Sequence, residues 1–284
     1  MKTLKTNQGI RSESARLRNA GKRIGLVPTM GAIHQGHLSL VRRARRECEC
    51  VVASVFVNPA QFGPGEDYRT YPRNMRRDAA LLRQEGVDLL FTPSVPSMYP
   101  SGYSTFVEET ALSRNLCGWH RPGHFRGVCT IVSKLFQLVG PERAYFGKKD
   151  YQQALIIRRM CRDLNFPVRI VLVPIVREPD GLALSSRNRF LSPRQRNQAV
   201  CLHRALELAL RQIRRGERNA QKVIKGMEKL IREYSLARPE YICVCSAHTL
   251  EPLTVIRGRI LVALAVRIGK TRLIDNKEYH VRKK

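Results

Sequence analysis

Two histidines accompanied by glycines are the most chemically suggestive feature of the sequence. Residues 28–37 read PTMGAIHQGH, in which His34 and His37 stand three positions apart, Gly31 precedes them and Gly36 lies between them. Residues three apart share a face of a helix, and a helix N-terminus attracts anions because its backbone N–H groups are unpaired there. Glycine allows the tight turn that must come before such a helix. The decapeptide therefore predicts a phosphate-binding site.

Other interpretations of the histidine pair have less support in the sequence. A single histidine more often caps a helix or fills space than binds a ligand, and this alternative stays open for each ring alone. A zinc site would need further ligands at suitable spacing, and none are evident. The sequence has neither a dinucleotide-binding fingerprint nor a Walker motif, which disfavours hydride transfer and P-loop ATP hydrolysis.

The apolar pattern around the decapeptide predicts alternating strands and helices. Residues 23–29 form an apolar run typical of a buried strand, and residues 38–48 show helical spacing. This alternation predicts an α/β fold, a doubly wound, Rossmann-like parallel sheet covered by helices. Such sheets bind ligands at the carboxyl ends of their strands, where the histidines fall. Further strands are predicted at residues 51–57, 87–92, 144–146 and 168–176, and further helices at 78–84, 127–139 and 152–163.

The pattern changes after residue 176, and we predict a domain boundary there. A length of 284 residues is compatible with two domains. Ser192 followed by Pro193 predicts the start of a long helix. We therefore expect a larger domain over residues 1–176 and a smaller C-terminal α+β domain over residues 177–284. The elements predicted in the smaller domain are a second helix at 220–234 and strands at 241–245 and 259–266.

The decapeptide resembles the HxGH signature of the nucleotidylyltransferase superfamily, in which two histidines hold the phosphates of ATP. Six further segments narrow the resemblance to the pantothenate synthetase family, from about Ile24 to Asn276. These segments are FVNPAQF at 56–62, YPR at 71–73, RPGHFRG at 121–127, FGKKDYQQ at 146–153, DGLALSSRN at 180–188 and LIDN at 273–276.

The resemblance implies an ATP-dependent ligase that joins pantoate to β-alanine in pantothenate biosynthesis. Pantoate would attack the α-phosphate of ATP to give pantoyl adenylate and pyrophosphate, and β-alanine would then displace AMP. The resemblance also implies Mg²⁺ as a cofactor, a homodimer, and a C-terminal domain that acts as a lid over an ATP- and pantoate-binding domain.

The same resemblance identifies candidate site residues. Gln61 and Gln153 are expected to bind pantoate, since an amide donates to a carboxylate and accepts from a hydroxyl. Lys148 stands where many relatives carry Glu or Gln, and Arg77 stands where some relatives have a second acid beside Asp78. No metal role is therefore transferred to Asp78, and metal ligands stay unassigned. The candidate catalytic residues are His34, His37, Lys149 and Arg187. The candidate ATP-binding residues are Met30, Gly31, His34, His37, Gly147, Lys149, Asp150, Val176, Leu184, Ser185, Ser186 and Arg187.

The net charge suggests a different class of partner. The chain has 51 Lys and Arg against 23 Asp and Glu, a net charge of +28, and such an excess is common in nucleic-acid-binding proteins. The excess is spread evenly along the chain, without a basic tail or block, so we expect no specific nucleic-acid binding. The alternatives are another adenylyl or cytidylyl transferase, including a tRNA-linked one, and a noncatalytic nucleic-acid-binding protein.

Hydropathy and cysteine content predict a soluble cytoplasmic protein. The longest apolar runs have about seven residues, far short of a bilayer span, and no signal peptide is evident. Eight cysteines spread over the chain are expected to be reduced thiols. Two close pairs, Cys48 with Cys50 and Cys243 with Cys245, are each predicted to lie buried on one face of a strand.

Overall fold

A computed structural model describes residues 1–281, in two compact units. The first unit comprises Met1–Arg114 and Gly118–Pro174, and the second comprises Asn115–Cys117 and Ile175–Lys284. The expected boundary at residue 177 and the lid role of the C-terminal domain stay predictions.

Six parallel strands form the sheet of the first unit. They are β1 (Lys2–Leu4), β2 (Ile24–Thr29), β3 (Cys50–Val55), β4 (Leu89–Phe91), β5 (Arg143–Gly147) and β6 (Arg169–Val173). Their order is β1-β4-β3-β2-β5-β6, so the chain extends the sheet from β2 in one direction and then returns to add β5 on the other side. The predicted α/β fold with a doubly wound parallel sheet is confirmed.

Helices flank this sheet. α1 packs against α6, and α2 packs against α3 and against the strands β2, β3 and β5. Strand β3 is buried along its whole length, as expected of a strand covered on both faces. The helices along residues 1–174 are α1 (Asn7–Asn19), α2 (Gln35–Glu47), α3 (Met75–Gln84), α4 (Val95–Met98), α5 (Cys117–His120), α6 (His124–Val139) and α7 (Tyr151–Asp163).

Two N-terminal elements, β1 and α1, were not predicted. Strand β1 is a three-residue edge strand with two exposed positions, and α1 buries only Ile10, Ser14 and Leu17. Both elements lack the apolar periodicity on which the prediction depends. Several predicted helices also begin too late, since the first turns of α2 and α6 consist largely of polar residues and glycine.

The second unit contains a three-stranded antiparallel sheet in the order β7-β8-β9. Its strands are β7 (Ala237–Ser246), β8 (Gly258–Ile268) and β9 (Thr271–Val281), and its helices are α8 (Pro193–Ala199), α9 (Cys201–Arg214) and α10 (Ala220–Arg232). Ser192 is the N-cap of α8, where the start of a long helix was predicted, and it forms a capping box with Gln195. The long helix, however, is interrupted at Val200. Strand β9 was not predicted, because its charged residues interrupt the regular alternation of apolar and polar positions that is typical of a strand.

All eight cysteines are free thiols, which agrees with the prediction, and all are buried except the half-buried Cys243. Burial raises the pKa of Cys50 and Cys201 to about 12, so these thiols stay protonated. The strand interpretation holds for Cys243 and Cys245 in β7 but is wrong for Cys48. Cys48 follows the last residue of α2, where its N–H bonds to Ala44, because the helix continues to Glu47.

Among residues 1–281, no helix is long and apolar enough to cross a membrane.

Candidate active site

The central strands β2 and β5 bring two candidate loops to the same edge of the sheet. The two strands are parallel neighbours, and the direction in which the chain adds strands changes between them. Ligands bind at such switch points in open α/β sheets, because the loops leaving the two strands diverge and open a crevice. The loop after β2 carries the histidine motif, and the loop after β5 carries residues 147–150.

A buried carboxylate holds the loop after β2 in a tight turn. Ala32 and Ile33 donate their backbone N–H groups to Asp78, at 2.8 and 2.9 Å, and the Asp78 side chain is almost fully buried. Gly31 adopts a positive φ of 90°, and a Cβ there would lie 3.0 Å from Asp78 Oδ2 and 3.1 Å from Val55. Sequence reasoning gave Asp78 no role, although this carboxylate orients the whole turn.

This turn places both histidines at the start of α2. His34 is the N-cap: Gly36 donates its N–H to His34 Nδ1 at 3.1 Å. The ring proton of neutral His34 therefore lies on Nε2, where it is available as a donor. His37 lies in the first turn, with its ring centroid 4.1 Å from that of His34. Its Nδ1 is buried and has no hydrogen-bond partner within residues 1–281.

Both rings are neutral at physiological pH. Burial, and then the positive charge of Lys149, lowers the pKa of His34 to about 4. Burial, the neighbouring His34 and Lys149 together lower the pKa of His37 well below its usual value. A neutral imidazole donates one N–H, so each ring offers a hydrogen bond, while Lys149 supplies the positive charge of the site.

Lys149 and Asp150 reach this site from the other loop. They lie in a 3₁₀ turn, Lys148–Asp150, immediately after Gly147 ends β5. Lys149 Nζ lies 3.4 Å from Asp150 Oδ1, and both side chains act electrostatically on His34. The lysine is thus positioned by the strand end rather than by a long flexible segment.

Gln61 lies at the end of the 3₁₀ turn Pro59–Gln61, which follows β3. The residue is buried, and its Nε2 donates to Met30 Sδ at 3.0 Å. Its backbone carbonyl accepts hydrogen bonds from Arg121 Nη2 at 3.2 Å and from His124 Nδ1 at 2.8 Å. Gln61 is therefore held next to the residue that precedes the histidine turn.

Asn58, which sequence reasoning did not single out, contacts the candidate residue Gln61. It is almost fully buried and donates from Nδ2 to Gln61 Oε1 at 3.1 Å. The signal was present in the sequence, because an asparagine before proline at the end of a buried strand is a strong turn residue. Nothing local, however, indicates that its side chain points to Gln61.

Gln153 lies in the first turn of α7, which begins directly after Lys149 and Asp150, and it is half-buried. The adjacent Gln152 is more deeply buried, and its amide donates to the Leu112 carbonyl at 2.8 Å. Of the two neighbouring glutamines, Gln152 thus has a structural partner, while Gln153 is the more exposed.

The remaining candidates form one loop of the second unit. Val176 accepts a hydrogen bond from the Leu184 N–H at 3.0 Å, which closes the base of the loop. The Ser185 hydroxyl accepts from the Arg187 N–H at 3.3 Å and begins the 3₁₀ turn Ser186–Phe190. The structure thus places Val176, Leu184, Ser185, Ser186 and Arg187 together on this loop.

A cavity of about 320 Å³ opens beside the histidine turn, at the carboxyl ends of β3 and β4. Met30 and Gly31 line it, together with apolar residues and with Tyr68, Arg73, Asn74 and Asp78. Among residues 1–281, no group of three or more His, Cys, Asp and Glu side chains is arranged to hold a metal ion.

A parallel sheet whose switch point presents two neutral histidines and a lysine defines a nucleotide-binding α/β enzyme. Comparison with known proteins specifies the family. The profile of the Pantoate-beta-alanine ligase family matches residues 2–278. A pantothenate synthetase from Moorella thermoacetica is 55% identical over 276 residues, which cover 97% of this chain and 98% of the relative. The chain belongs to the Pantoate-beta-alanine ligase family.

Solved structures agree with this assignment. The crystal structure of pantothenate synthetase from Thermus thermophilus superimposes with a TM-score of 0.94 at 49% identity, covering 99% of this chain and all of that one. The pantoate-beta-alanine ligase from Francisella tularensis, crystallised with β-γ ATP and β-alanine, has a TM-score of 0.80 at 35% identity. That comparison covers 98% of this chain and 97% of the other.

Proposed function

We propose that this chain joins pantoate to β-alanine in two steps. In the first, the pantoate carboxylate attacks the α-phosphorus of ATP, which forms pantoyl adenylate and releases pyrophosphate. In the second, the β-alanine amine attacks the acyl carbon, loses a proton and displaces AMP. The observation that best supports this proposal is a buried glutamine amide beside Met30, next to the turn that presents the histidine pair.

His34, His37 and Lys149 act on the triphosphate. Negative charge develops on the phosphoryl oxygens during adenylation, and fixed donors stabilise it without reorganising. The two neutral rings supply N–H donors and Lys149 supplies positive charge, with Met30, Gly31, Gly147 and Asp150 on the same two loops. We further propose that Val176, Leu184, Ser185, Ser186 and Arg187 bind the nucleotide, with Arg187 as a second phosphate-binding cation.

Gln61 and Gln153 bind pantoate. Amides recognise a hydroxy acid without placing another charge beside the lysine and the phosphates. Mg²⁺ would enter with ATP, mainly on its phosphate oxygens, and would neutralise the charge of the pyrophosphate leaving group. Asp78 is given no metal role in this proposal; its carboxylate accepts the N–H groups of Ala32 and Ile33 and so holds the histidine turn.

We also propose that the protein is a cytoplasmic homodimer, which rests on its family membership. Sedimentation equilibrium tests the dimer, and a monomeric mass at micromolar concentration would contradict it.

The first test follows pyrophosphate release from ATP with pantoate alone and then with β-alanine. Pantoate alone should support pyrophosphate exchange into ATP, and β-alanine should be required for AMP release. A chain that releases pyrophosphate only with another acceptor, such as a tRNA, would overturn the assignment in favour of a different nucleotidyl transfer.

The second test separates the two steps. His37→Ala and Lys149→Ala should slow pantoate-dependent exchange by about a hundred- to a thousandfold, the usual effect of losing one fixed donor. The rate at which supplied pantoyl adenylate reacts with β-alanine should fall less, because pyrophosphate has already left. Lys148→Ala is the matched control, since Lys148 does not contribute to the pKa shift of either histidine. Equal losses in both steps would show that these residues do not act mainly on the triphosphate.

The third test concerns the acid. Gln153→Ala should weaken the binding of pantoate about ten- to a hundredfold, since one hydrogen bond to a charged group is lost. The binding of ATP should weaken much less. Gln152→Ala is the contrast: it should lower the free energy of unfolding, because it leaves the Leu112 carbonyl without its partner, but should spare the pantoate KM. An unchanged pantoate KM in Gln153→Ala would remove Gln153 from the site.

A further inference from the structure

Two backbone groups and the Tyr99 hydroxyl together orient the Asn58 amide. The Ala60 N–H donates to Asn58 Oδ1 at 3.3 Å, and the Gly127 carbonyl accepts from Asn58 Nδ2 at 3.1 Å. A backbone N–H can only donate and a carbonyl can only accept. These two contacts favour the orientation in which the oxygen of Asn58 faces Ala60 and its nitrogen faces Gly127, although the bond from Ala60 is long.

This orientation determines that of Gln61 in turn. Asn58 Nδ2 also points to the Gln61 amide, to which it can only donate, so the atom that it meets is Gln61 Oε1. The NH₂ group of Gln61 is then directed the other way, towards Met30. Gln61 consequently presents N–H donors to the site, not its carbonyl oxygen.

Tyr99 completes this chain of hydrogen bonds from behind. Its hydroxyl lies 2.7 Å from Asn58 Oδ1, the shortest contact of that oxygen, and it must donate because the oxygen only accepts. Burial raises the pKa of Tyr99, so the phenol keeps its proton. Tyr103 packs edge-on against the Tyr99 ring at 5.0 Å, and Lys134 lies over both rings. The donor is thus fixed by packing.

We propose that Tyr99 is a positioning residue for pantoate: through Asn58 it keeps Gln61 a pure donor, so that this position of the site accepts only an oxygen that can receive a hydrogen bond. The inference rests on the proposed role of Gln61. It also revises the expectation that the Gln61 amide both donates to and accepts from the acid.

The test compares Tyr99→Phe with Tyr103→Phe. Each variant loses one hydroxyl from the same aromatic cluster, but only Tyr99 is hydrogen-bonded to Asn58. Without that donor, Asn58 keeps only the 3.3 Å contact from the Ala60 N–H and its contact with the Gly127 carbonyl, so its orientation is held less firmly. Asn58 and Gln61 then turn over together part of the time, and Gln61 presents its carbonyl in that fraction of molecules. Tyr99→Phe should raise the pantoate KM about three- to tenfold, with kcat and the ATP KM within twofold of the unaltered protein. Tyr103→Phe should leave all three constants unchanged.

A second variant, Asn58→Asp, reverses the direction of the hydrogen bond between position 58 and Gln61. Asn58→Asp cannot donate to Gln61, so Gln61 must donate inwards to the carboxylate and turn its oxygen to the site. The pantoate KM of Asn58→Asp should rise more than that of Tyr99→Phe, and the ATP KM should again change less. If Asn58→Asp does not fold, Tyr99→Phe decides alone.

An unchanged pantoate KM in Tyr99→Phe, or equal changes for pantoate and ATP, would overturn the inference. A failure of the proposed function looks different: the unaltered protein would then show no pantoate-dependent pyrophosphate release at all.

Discussion

The neutral state of His34 and His37 governs what these residues can do. Two imidazolium rings 4.1 Å apart and near a lysine would repel one another, and burial adds to the cost of charging them. In the absence of nucleotide the rings therefore serve as hydrogen-bond donors. A triphosphate bound against them would raise both pKa values, because an opposite charge favours the protonated ring.

The depressed pKa of His34 makes the folded protein sensitive to acid. Unfolded, the ring binds a proton near pH 6.5, whereas folded it resists protonation until about pH 4. The unfolded state therefore holds more protons in this window, and the free energy of unfolding falls as pH decreases from 7 to 4. The full contribution of this ring is about 3 kcal/mol.

Denaturant unfolding of the protein and of His34→Asn between pH 7 and pH 4 measures this effect. Asparagine preserves a helix N-cap but does not titrate in this range. The stability difference between the two proteins should shift by about 3 kcal/mol in favour of the variant as pH falls. Parallel stability profiles would contradict the neutral state assigned to His34.

At the scale of elements, the active-site turn depends on α3. Asp78 in α3 binds the N–H groups of Ala32 and Ile33, which lie more than forty residues earlier in the chain. Ala32 has a positive φ of 50°, a conformation that costs energy for any residue with a Cβ. The carboxylate offsets this cost and so couples the position of the histidines to α3.

Asp78→Asn should loosen this coupling. The amide of asparagine can accept from only one of the two N–H groups and opposes the other, so we expect a loss of about 1 to 3 kcal/mol in the free energy of unfolding and a higher ATP KM. Glu85→Gln at the end of the same helix is the control, because it breaks only a surface ion pair with Arg42, worth at most about 1 kcal/mol. Equal effects of the two substitutions would argue against a role of Asp78 in positioning the turn.

The loop at residues 176–187 of the second unit, which we propose binds the nucleotide, depends on another packed turn. Gly181 has a φ of 94°, and a Cβ there would lie 2.0 Å from the His203 ring. Arg177 donates to the Gly181 carbonyl at 2.9 Å and forms a two-bonded ion pair with the buried Asp275. The turn before Ser185 is thus held between α9 and β9.

Gly181→Ala and Gly216→Ala form a matched pair for testing this turn. Both glycines have a positive φ, but a Cβ at Gly216 meets no other atoms. Gly216→Ala should cost about 1 kcal/mol in the free energy of unfolding, from backbone strain alone. Gly181→Ala should cost more and should also raise the ATP KM, because the displaced turn moves Ser185 and Arg187. If the two variants cost the same, His203 does not constrain the loop.

At the scale of the whole molecule, the charge of +28 is distributed rather than concentrated. Several arginines are paired with acids on the surface, including Arg23 with Glu49 and Arg196 with Asp180. Scattered cations attract polyanions without forming a specific surface for them.

We therefore expect weak, nonspecific nucleic-acid binding that is lost as salt increases. The apparent affinity for a short labelled duplex, measured by fluorescence anisotropy, should fall about a hundredfold or more between 50 and 200 mM salt. A duplex of scrambled sequence should bind equally well. Tight, sequence-dependent RNA binding at physiological salt would contradict this expectation and would favour a tRNA-linked nucleotidyl transferase instead.

The sequence by itself determined the order of strands and helices, the place of the histidine motif at the end of β2, and the resemblance to the family. These features are local: apolar periodicity, turn residues and short motifs can be identified within a few neighbouring positions. Local patterns failed for β1, α1 and β9, since short edge strands and elements rich in charge are stabilised by their neighbours rather than by their own periodicity.

Only the tertiary structure decided how the site is held and what state its groups are in. The bond of Asp78 to the histidine turn, and the path from Tyr99 to Asn58 that orients Gln61, join residues about forty positions apart or more whose types alone do not indicate a partner. The low pKa of His34 depends on burial and on Lys149, which lies on another strand end. Desolvation and hydrogen-bond direction are properties of packed surroundings, so no stretch of sequence contains them.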